Sequence, residues 1–175
     1  GKNTYQLQLD YNYFEAFKNK NQEFAIANLK SFSKQPLSRY QKARVKMLIA
    51  DILVLDERFN EALIYYSQIQ NEVKGDLLAQ EARYKVAQTS YFKGDFNWAQ
   101  IQLDVLKKSA TQLIANDAMY LSLMIKDNSL EDSTQTALRH YARADLFSLQ
   151  GKEEEAILIL ENLLLNHKGE KIEDE

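Results

Sequence analysis

The chain contains no cysteine, one proline and five glycines among its 175 residues. Without cysteine it has no disulfide and no thiolate metal site, although this absence does not fix the cellular compartment. So little glycine and proline excludes a loop-rich all-β protein or a disordered chain, and ten tyrosines and eight phenylalanines supply a core. No apolar run approaches the roughly 20 residues that a bilayer-spanning helix needs, so we expect no membrane span.

Residues that would support catalysis are also scarce. His140 and His167 are the only histidines, and neither belongs to a zinc-ligand spacing such as HExxH. The glycines stand singly near the ends of predicted helices, so they form no phosphate-binding loop. The run Glu153–Glu155 falls in a first helical turn, where acidic side chains complement the helix dipole. We therefore expect no enzyme activity, no cofactor and no metal.

Charge is unevenly distributed along the chain. Residues 1–47 hold nine basic and three acidic residues, whereas residues 152–175 hold three basic and eight acidic ones. This asymmetry describes either ordinary solvated helix faces or a feature that orients a partner or a neighbouring copy. The basic segment from Lys30 to Lys46 contains only two aromatic residues, Phe32 and Tyr40, so we expect no nucleic-acid partner.

A three-residue framework with spacings of +3 and +4 recurs along the sequence: Phe59, Ala62 and Tyr66; Phe96, Ala99 and Leu103; Glu153, Ala156 and Leu160. Another alanine lies twelve residues before the alanine of each framework, at Ala50, Ala87 and Ala144, and a turn separates the two. This pattern predicts pairs of antiparallel helices that touch through small residues. Repetition at a period near 34 residues is typical of a helical solenoid, an architecture that usually binds other molecules.

The apolar periodicity and capping residues predict nine helices and no strand. Segment 5–19 alternates between apolar and polar residues at first, which is typical of a strand, but no partner strand follows and Leu7, Tyr11 and Phe14 form a helical stripe. Ser38, Asp76 and Asp95 are suited to cap helices, and residues 127–133 are predicted to be a loop. The predicted helices are 5–19, 22–34, 39–55, 59–73, 77–94, 96–109, 112–126, 134–149 and 153–166.

These residues resemble the tetratricopeptide repeat (TPR) family, which places a small residue at position 8 of a 34-residue unit, alanine at position 20 and a large residue at position 24. Phe24 with Ala27 marks a degenerate first unit. The resemblance implies a single all-α domain over residues 1–175, a right-handed α-solenoid of antiparallel helix pairs. Its units are 5–36, 38–74, 76–110, an extra helix over 112–127 and a last pair over 134–167. Ala137, Tyr141 and Ala144 also match the alanine at position 20, the large residue at position 24 and a second alanine that the family places at position 27. Helix 134–149 is therefore either the second helix of one unit or the first of the next.

The TPR resemblance implies a concave groove, lined by the first helix of each unit, that receives a peptide or a protein partner. The residues in that register are Arg44, Met47, Asp51, Tyr84, Lys85, Gln88, Tyr91, Tyr141 and Asp145. Tyrosine and arginine are common at the centres of binding sites. The alternative is that Tyr84 and Tyr91 mainly pack between helices. The positions of the Lys/Asn/Arg clamp of some TPR co-chaperones hold Asn12, Ala16 and Leu48, so capture of a chaperone tail is not expected.

The apolar residues of segment 153–166 surround their helix instead of forming one stripe. A helix that is apolar all round is normally buried on several sides. We therefore expect either that the chain is a piece of a longer repeat protein or that it forms a homodimer through its helical ends. We also expect residues 169–175 to open a further helix. The block from Phe92 to Asn128 is similar to segments of large bacterial TPR proteins. Many of these are associated with the cell envelope, which favours an envelope or periplasmic setting over the cytoplasm.

Overall fold

The chain folds almost entirely into α-helices. A computed structural model describes residues 2–129 and 134–175, and these ranges contain nine α-helices, a short 3₁₀ helix and no strand. The prediction of an all-α protein with nine helices is confirmed for this part of the chain. The helices are α1 (Lys2–Phe17), α2 (Gln22–Phe32), α3 (Arg39–Leu55), α4 (Phe59–Glu72), α5 (Leu77–Lys93), α6 (Phe96–Ser109), α7 (Gln112–Ser129), α8 (Thr136–Leu149), α9 (Glu153–Asn166) and the 3₁₀ helix Lys171–Asp174.

Three helices begin at the predicted capping residues. Ser38 and Gln41 form a capping box, in which each side chain accepts a hydrogen bond from the other residue's backbone amide. The Asp76 carboxylate accepts from the amide of Leu78 at 2.9 Å, and the Asp95 carboxylate accepts from the amide of Trp98 at 3.4 Å. Each cap satisfies an amide that has no partner inside the helix.

The same type of tight turn joins consecutive helices at four places. In every case a residue with positive φ precedes a buried alanine by five positions: Lys20 before Ala25, Glu57 before Ala62, Gly94 before Ala99 and Gly151 before Ala156. In the last three turns the next amide bonds the carbonyl five residues back, as in Arg58 to Leu53 at 2.9 Å and Asp95 to Ser90 at 2.8 Å. This geometry closes a helix C-terminus and sends the chain directly into the next helix.

The alanines of the repeated framework are all buried. Ala62, Ala99 and Ala156 are buried after the turns, and Ala50, Ala87 and Ala144 are buried in the helices that precede them. Since alanine carries only a methyl group, backbones can approach closely wherever two such faces meet. The alanines identified from the sequence therefore mark interior positions.

The hydrogen bond that closes the first turn spans one residue more than in the other three turns. The register predicted after this turn also needs correction. The amide of Asn21 bonds the carbonyl of Glu15, six residues back. Ala25 is the buried alanine, whereas Ala27 is exposed and Phe24 is 50% exposed. The assignment of Phe24 and Ala27 to the framework is wrong. Ala25 and Leu29, which are four residues apart like the alanine and large residue of the framework, lie on the buried face instead.

The chain forms two compact units, residues 1–85 and residues 86–175. In the first, α1 contacts α2 and α3, α2 contacts α3, and α3 contacts α4. In the second, α6 contacts α7, α7 contacts α8, and α8 contacts α9. The division falls within α5, and the single-domain organisation stays a prediction.

The C-terminal part departs from the sequence prediction in two ways. Helix α7 continues to Ser129, three residues beyond its predicted end, and residues 130–133 of the predicted loop lie outside the described residues. Instead of opening a further helix, the segment after α9 forms the 3₁₀ helix, which packs on α7 and α8. Its Ile172 is only 3% exposed, so burial of this side chain holds the segment in place.

The alanine contacts generate a prediction about stability. Ala62→Leu and Ala99→Leu insert three heavy atoms into a filled contact, so each substitution is expected to cost roughly 1–3 kcal/mol of unfolding free energy. Ala79→Leu is the matched control, because Ala79 is half-buried near the start of α5 and its change is expected to cost less. Chemical denaturation of the three variants measures this difference. Equal losses at all three positions would contradict the interior assignment.

Candidate functional site

The predicted binding residues of the first unit lie on α3 and α5. On α3, Arg44 is exposed while Met47 and Asp51 are half-buried, and their spacing of three and four residues places them on one face. On α5, Tyr84 and Lys85 are half-buried. The Lys85 ammonium lies 3.4 Å from the Asp51 carboxylate, so the structure brings these two predicted residues together.

Asp51 is also held from the second helix of its pair. The hydroxyl of Tyr66 on α4 donates a hydrogen bond to Asp51 Oδ1 at 2.6 Å. Burial, followed by the nearby Asp51 charge, raises the pKa of Tyr66 well above its usual range, so the hydroxyl keeps its proton as a donor. Asp51 therefore has both a neutral donor and a cation within the first unit.

In the second unit, Tyr91 and Asp145 form a comparable pair. The Tyr91 hydroxyl donates to Asp145 Oδ2 at 2.7 Å, and Tyr91 is only 2% exposed while Asp145 is half-buried. Burial and the Asp145 charge raise the pKa of Tyr91, so its hydroxyl stays protonated. Tyr91 is therefore an interior residue that holds Asp145 in place, which agrees with the alternative that Tyr91 mainly packs between helices. Asp145 is the member of the pair that is partly accessible to a ligand. Gln88, also on α5, is half-buried.

Two further tyrosines belong to this environment: Tyr141 interacts with Asp145, and Tyr120 interacts with Tyr141 and Tyr91. Burial raises the pKa of Tyr141 to about 12, with additional contributions from Asp145, Tyr120 and Glu175. The Tyr141 hydroxyl donates a 3.4 Å hydrogen bond to the Glu175 carbonyl oxygen. Tyr141 was predicted from the sequence, whereas Tyr120 on α7 was missed, although it is 62% exposed.

The residues missed by sequence analysis share one property. Tyr66 was identified only as a large packing residue, and Tyr120 belongs to the extra helix, which the repeat register does not assign to a unit. Their roles come from contacts between helices that are distant in sequence. The signal that was available is the position of the two acids: Asp51 follows Ala50 and Asp145 follows Ala144, so they occupy the same register position.

The histidines remain apart from these clusters. His140 is exposed on α8, and the Nδ1 atom of His167 lies 3.0 Å from the Glu170 carboxylate, three residues further along the chain. Among the described residues, no group of three or more His, Asp or Glu side chains is placed to hold a metal ion. None of the helices in those ranges combines the length and apolar character of a bilayer-spanning helix.

Comparison of this chain with family models, with curated proteins and with solved structures gave no match. The function is therefore inferred from the contacts, burial and charges of the side chains.

The environment of Asp145 generates a prediction about pH. Burial raises the pKa of the Asp145 carboxyl, and the hydrogen bond from Tyr91 offsets this only in part. As pH rises above the ordinary aspartate pKa of about 3.9, the unfolded chain releases this proton before the folded chain does. The folded state therefore loses stability through the window between the two pKa values. Asp145→Asn removes this loss.

We expect Asp145→Asn to be more stable than the wild type near pH 7, and this advantage to shrink at about pH 3.5. Urea denaturation of both proteins at the two pH values measures it. An advantage of the same size at both pH values would contradict the assigned environment, and so would a variant that is less stable only at neutral pH.

Proposed function

We propose that this chain is a non-catalytic protein–protein interaction scaffold of the TPR type. In this proposal it is a right-handed α-solenoid of antiparallel helix pairs, and the concave face of its first helices binds a peptide or a protein partner. One observation carries the proposal. Asp51 and Asp145 occupy equivalent register positions on α3 and α8, are partly exposed, and are each held by a buried tyrosine hydroxyl.

Such acids are suited to recognition because their positions are set before a partner arrives. Tyr66 and Tyr91 hold the carboxylates from the protein interior, so little side-chain freedom is lost on binding. Neighbouring side chains supply the remaining chemistry of a binding surface: an exposed arginine at Arg44, a half-buried methionine at Met47 and a half-buried tyrosine at Tyr141. Aromatic residues, methionine and arginine are enriched in interfaces.

The repeated turn supports the proposed architecture. Each turn leads from the C-terminal end of one helix directly to the N-terminal end of the next, and a buried alanine follows at the same distance. A chain built in this way exposes part of each first helix while it buries the framework of each second helix, which is how helical repeats form extended binding surfaces.

Selection of peptides from a random display library on the purified chain tests the proposed function. For peptides that bind, Arg44→Glu and Tyr141→Ala are expected to weaken binding at least about tenfold, since residues at binding centres contribute roughly 1–4 kcal/mol each. Unchanged thermal melts would show that the fold is intact.

Two matched controls accompany this test. His140→Ala alters the exposed neighbour of Tyr141 on the same helix, and Ile64→Glu alters an exposed apolar residue on the second helix α4. Both are expected to leave peptide binding unchanged. Binding that is lost in the controls, or that survives both first-helix substitutions, would contradict the proposed face.

A second candidate function is self-association through the helical ends. Helix α9 exposes four large apolar side chains: Ile157, Leu158, Leu164 and Leu165. Leu158 and Leu165 are 58% and 78% exposed, and Ala156 and Leu163 are the two buried residues of α9. Large apolar side chains exposed on one helix are candidates for a contact site, and a second copy of the chain is the partner that we propose for this alternative.

Sedimentation analysis distinguishes this alternative from the first proposal. If α9 mediates self-association, the wild type dimerises at high protein concentration and Leu158→Glu/Leu165→Glu is a monomer, because each buried leucine contributes about 1.5–3 kcal/mol. Ile64→Glu, an equivalent change on α4, is expected to dimerise like the wild type. A wild type that stays monomeric at high concentration would remove the need for a partner on α9.

A further inference from the structure

Asp51 and Asp145 differ in whether a cation lies next to the carboxylate, and this difference determines which ligand each can bind. Asp51 and Asp145 each accept a hydrogen bond from a tyrosine, but only Asp51 has a cation of its own, the Lys85 ammonium at 3.4 Å. Within residues 2–129 and 134–175, no lysine or arginine lies within ion-pair distance of Asp145, and Tyr91 is its single hydrogen-bond partner.

An acid in this position has an unmet electrostatic requirement. Asp145 is partly removed from water, which disfavours its ionised form, and the neutral Tyr91 hydroxyl compensates for only part of the lost solvation. A cation placed against the free face of the carboxylate would restore the missing interaction. Desolvated charge pairs of this kind contribute more than exposed pairs do, because the surrounding dielectric constant is lower.

The residues around Asp145 favour a cation over an anion. Tyr120 is largely exposed and Tyr141 is half-buried, and aromatic faces attract ammonium and guanidinium groups. The acids Asp145 and Glu175 both act on the Tyr141 hydroxyl, so negative charge lies on this side of the ring. An acidic side chain brought to the same place would be repelled, which adds selectivity against the wrong partner.

We propose that Asp145, together with Tyr120 and Tyr141, binds a basic side chain, lysine or arginine, of a protein or peptide partner. This inference rests on the proposed function and specifies the chemistry of its ligand within the second unit. Asp145 accepts the ion pair, and the two tyrosines contact the aliphatic stem or the planar head of the ligand side chain. The inference does not extend to Asp51, because Lys85 already lies at ion-pair distance from its carboxylate.

A titration with short capped peptides tests the inference. The peptides are identical except for a central residue that is arginine, lysine, glutamine or glutamate, and binding is followed by the NMR signals of the Tyr120 and Tyr141 rings. We expect the arginine or lysine peptide to bind at least about tenfold more tightly than the glutamine peptide, and the glutamate peptide to bind most weakly.

Substitution of the two acids localises the preference. Asp145→Asn is expected to abolish the advantage of the basic peptides, whereas Asp10→Asn, the same change at an exposed acid on α1 in the first unit, is expected to retain it. Tyr120→Ala is a second test that does not depend on Asp145, since Tyr120 is mostly exposed and its removal leaves the interior intact. It is expected to weaken the basic peptides several-fold.

The possible failures of the two proposals are distinguishable. If all four peptides bind equally well to the wild type and to Asp145→Asn, the inference is overturned while a peptide-binding face remains. If basic peptides are preferred but Asp145→Asn retains the preference, the inference is also overturned. If no peptide of this series binds, Asp145 is not a sufficient cation site, and selection from the random library decides the proposed function independently.

Discussion

The fold depends on the burial of alanines in consecutive helices, and a tight turn precedes one of these alanines by five residues each time. A residue in the left-handed region, such as Gly94, ends one helix and places the next alanine five residues later. A β-carbon disfavours this conformation, so Glu57 and Lys20 adopt it at some cost that glycine avoids. Once the alanine faces are committed to the interior, the remaining faces of the first helices are free to carry polar side chains.

The polar chemistry uses the rigidity of these contacts. Asp51 and Asp145 each follow a buried alanine, so the backbone beneath each carboxylate is held by the helix packing. A buried tyrosine then orients the carboxylate. In the first unit the cluster is complete, since Lys85 balances Asp51. In the second unit the acid is desolvated without a cation, an arrangement that reduces stability and that proteins tend to retain at binding or reactive sites.

Local patterns were sufficient to predict most of the helices and to select some side chains that the structure brings together, such as Tyr91 with Asp145 and Lys85 with Asp51. The capping residues Ser38, Asp76 and Asp95 act on adjacent amides, and the buried alanines recur at a constant spacing, so both are visible in the sequence. The failures involve information that is not local. The first turn is centred on Lys20, where no glycine marks the left-handed residue, and it places Ala25 in the interior instead of Ala27; the burial of Ile172 depends on α7 and α8. Asp145 could be predicted from its register, but its lack of a cation depends on which side chains approach it in three dimensions.

The central claim is that the first helices form the binding surface and the second helices support it. Hydrogen–deuterium exchange of the chain, free and bound to a peptide selected from the display library, tests this claim most directly. The account predicts that binding slows exchange in α3, α5 and α8, and leaves exchange in α4, α6 and α9 unchanged. Slower exchange confined to α9, or to the second helices in general, would contradict it.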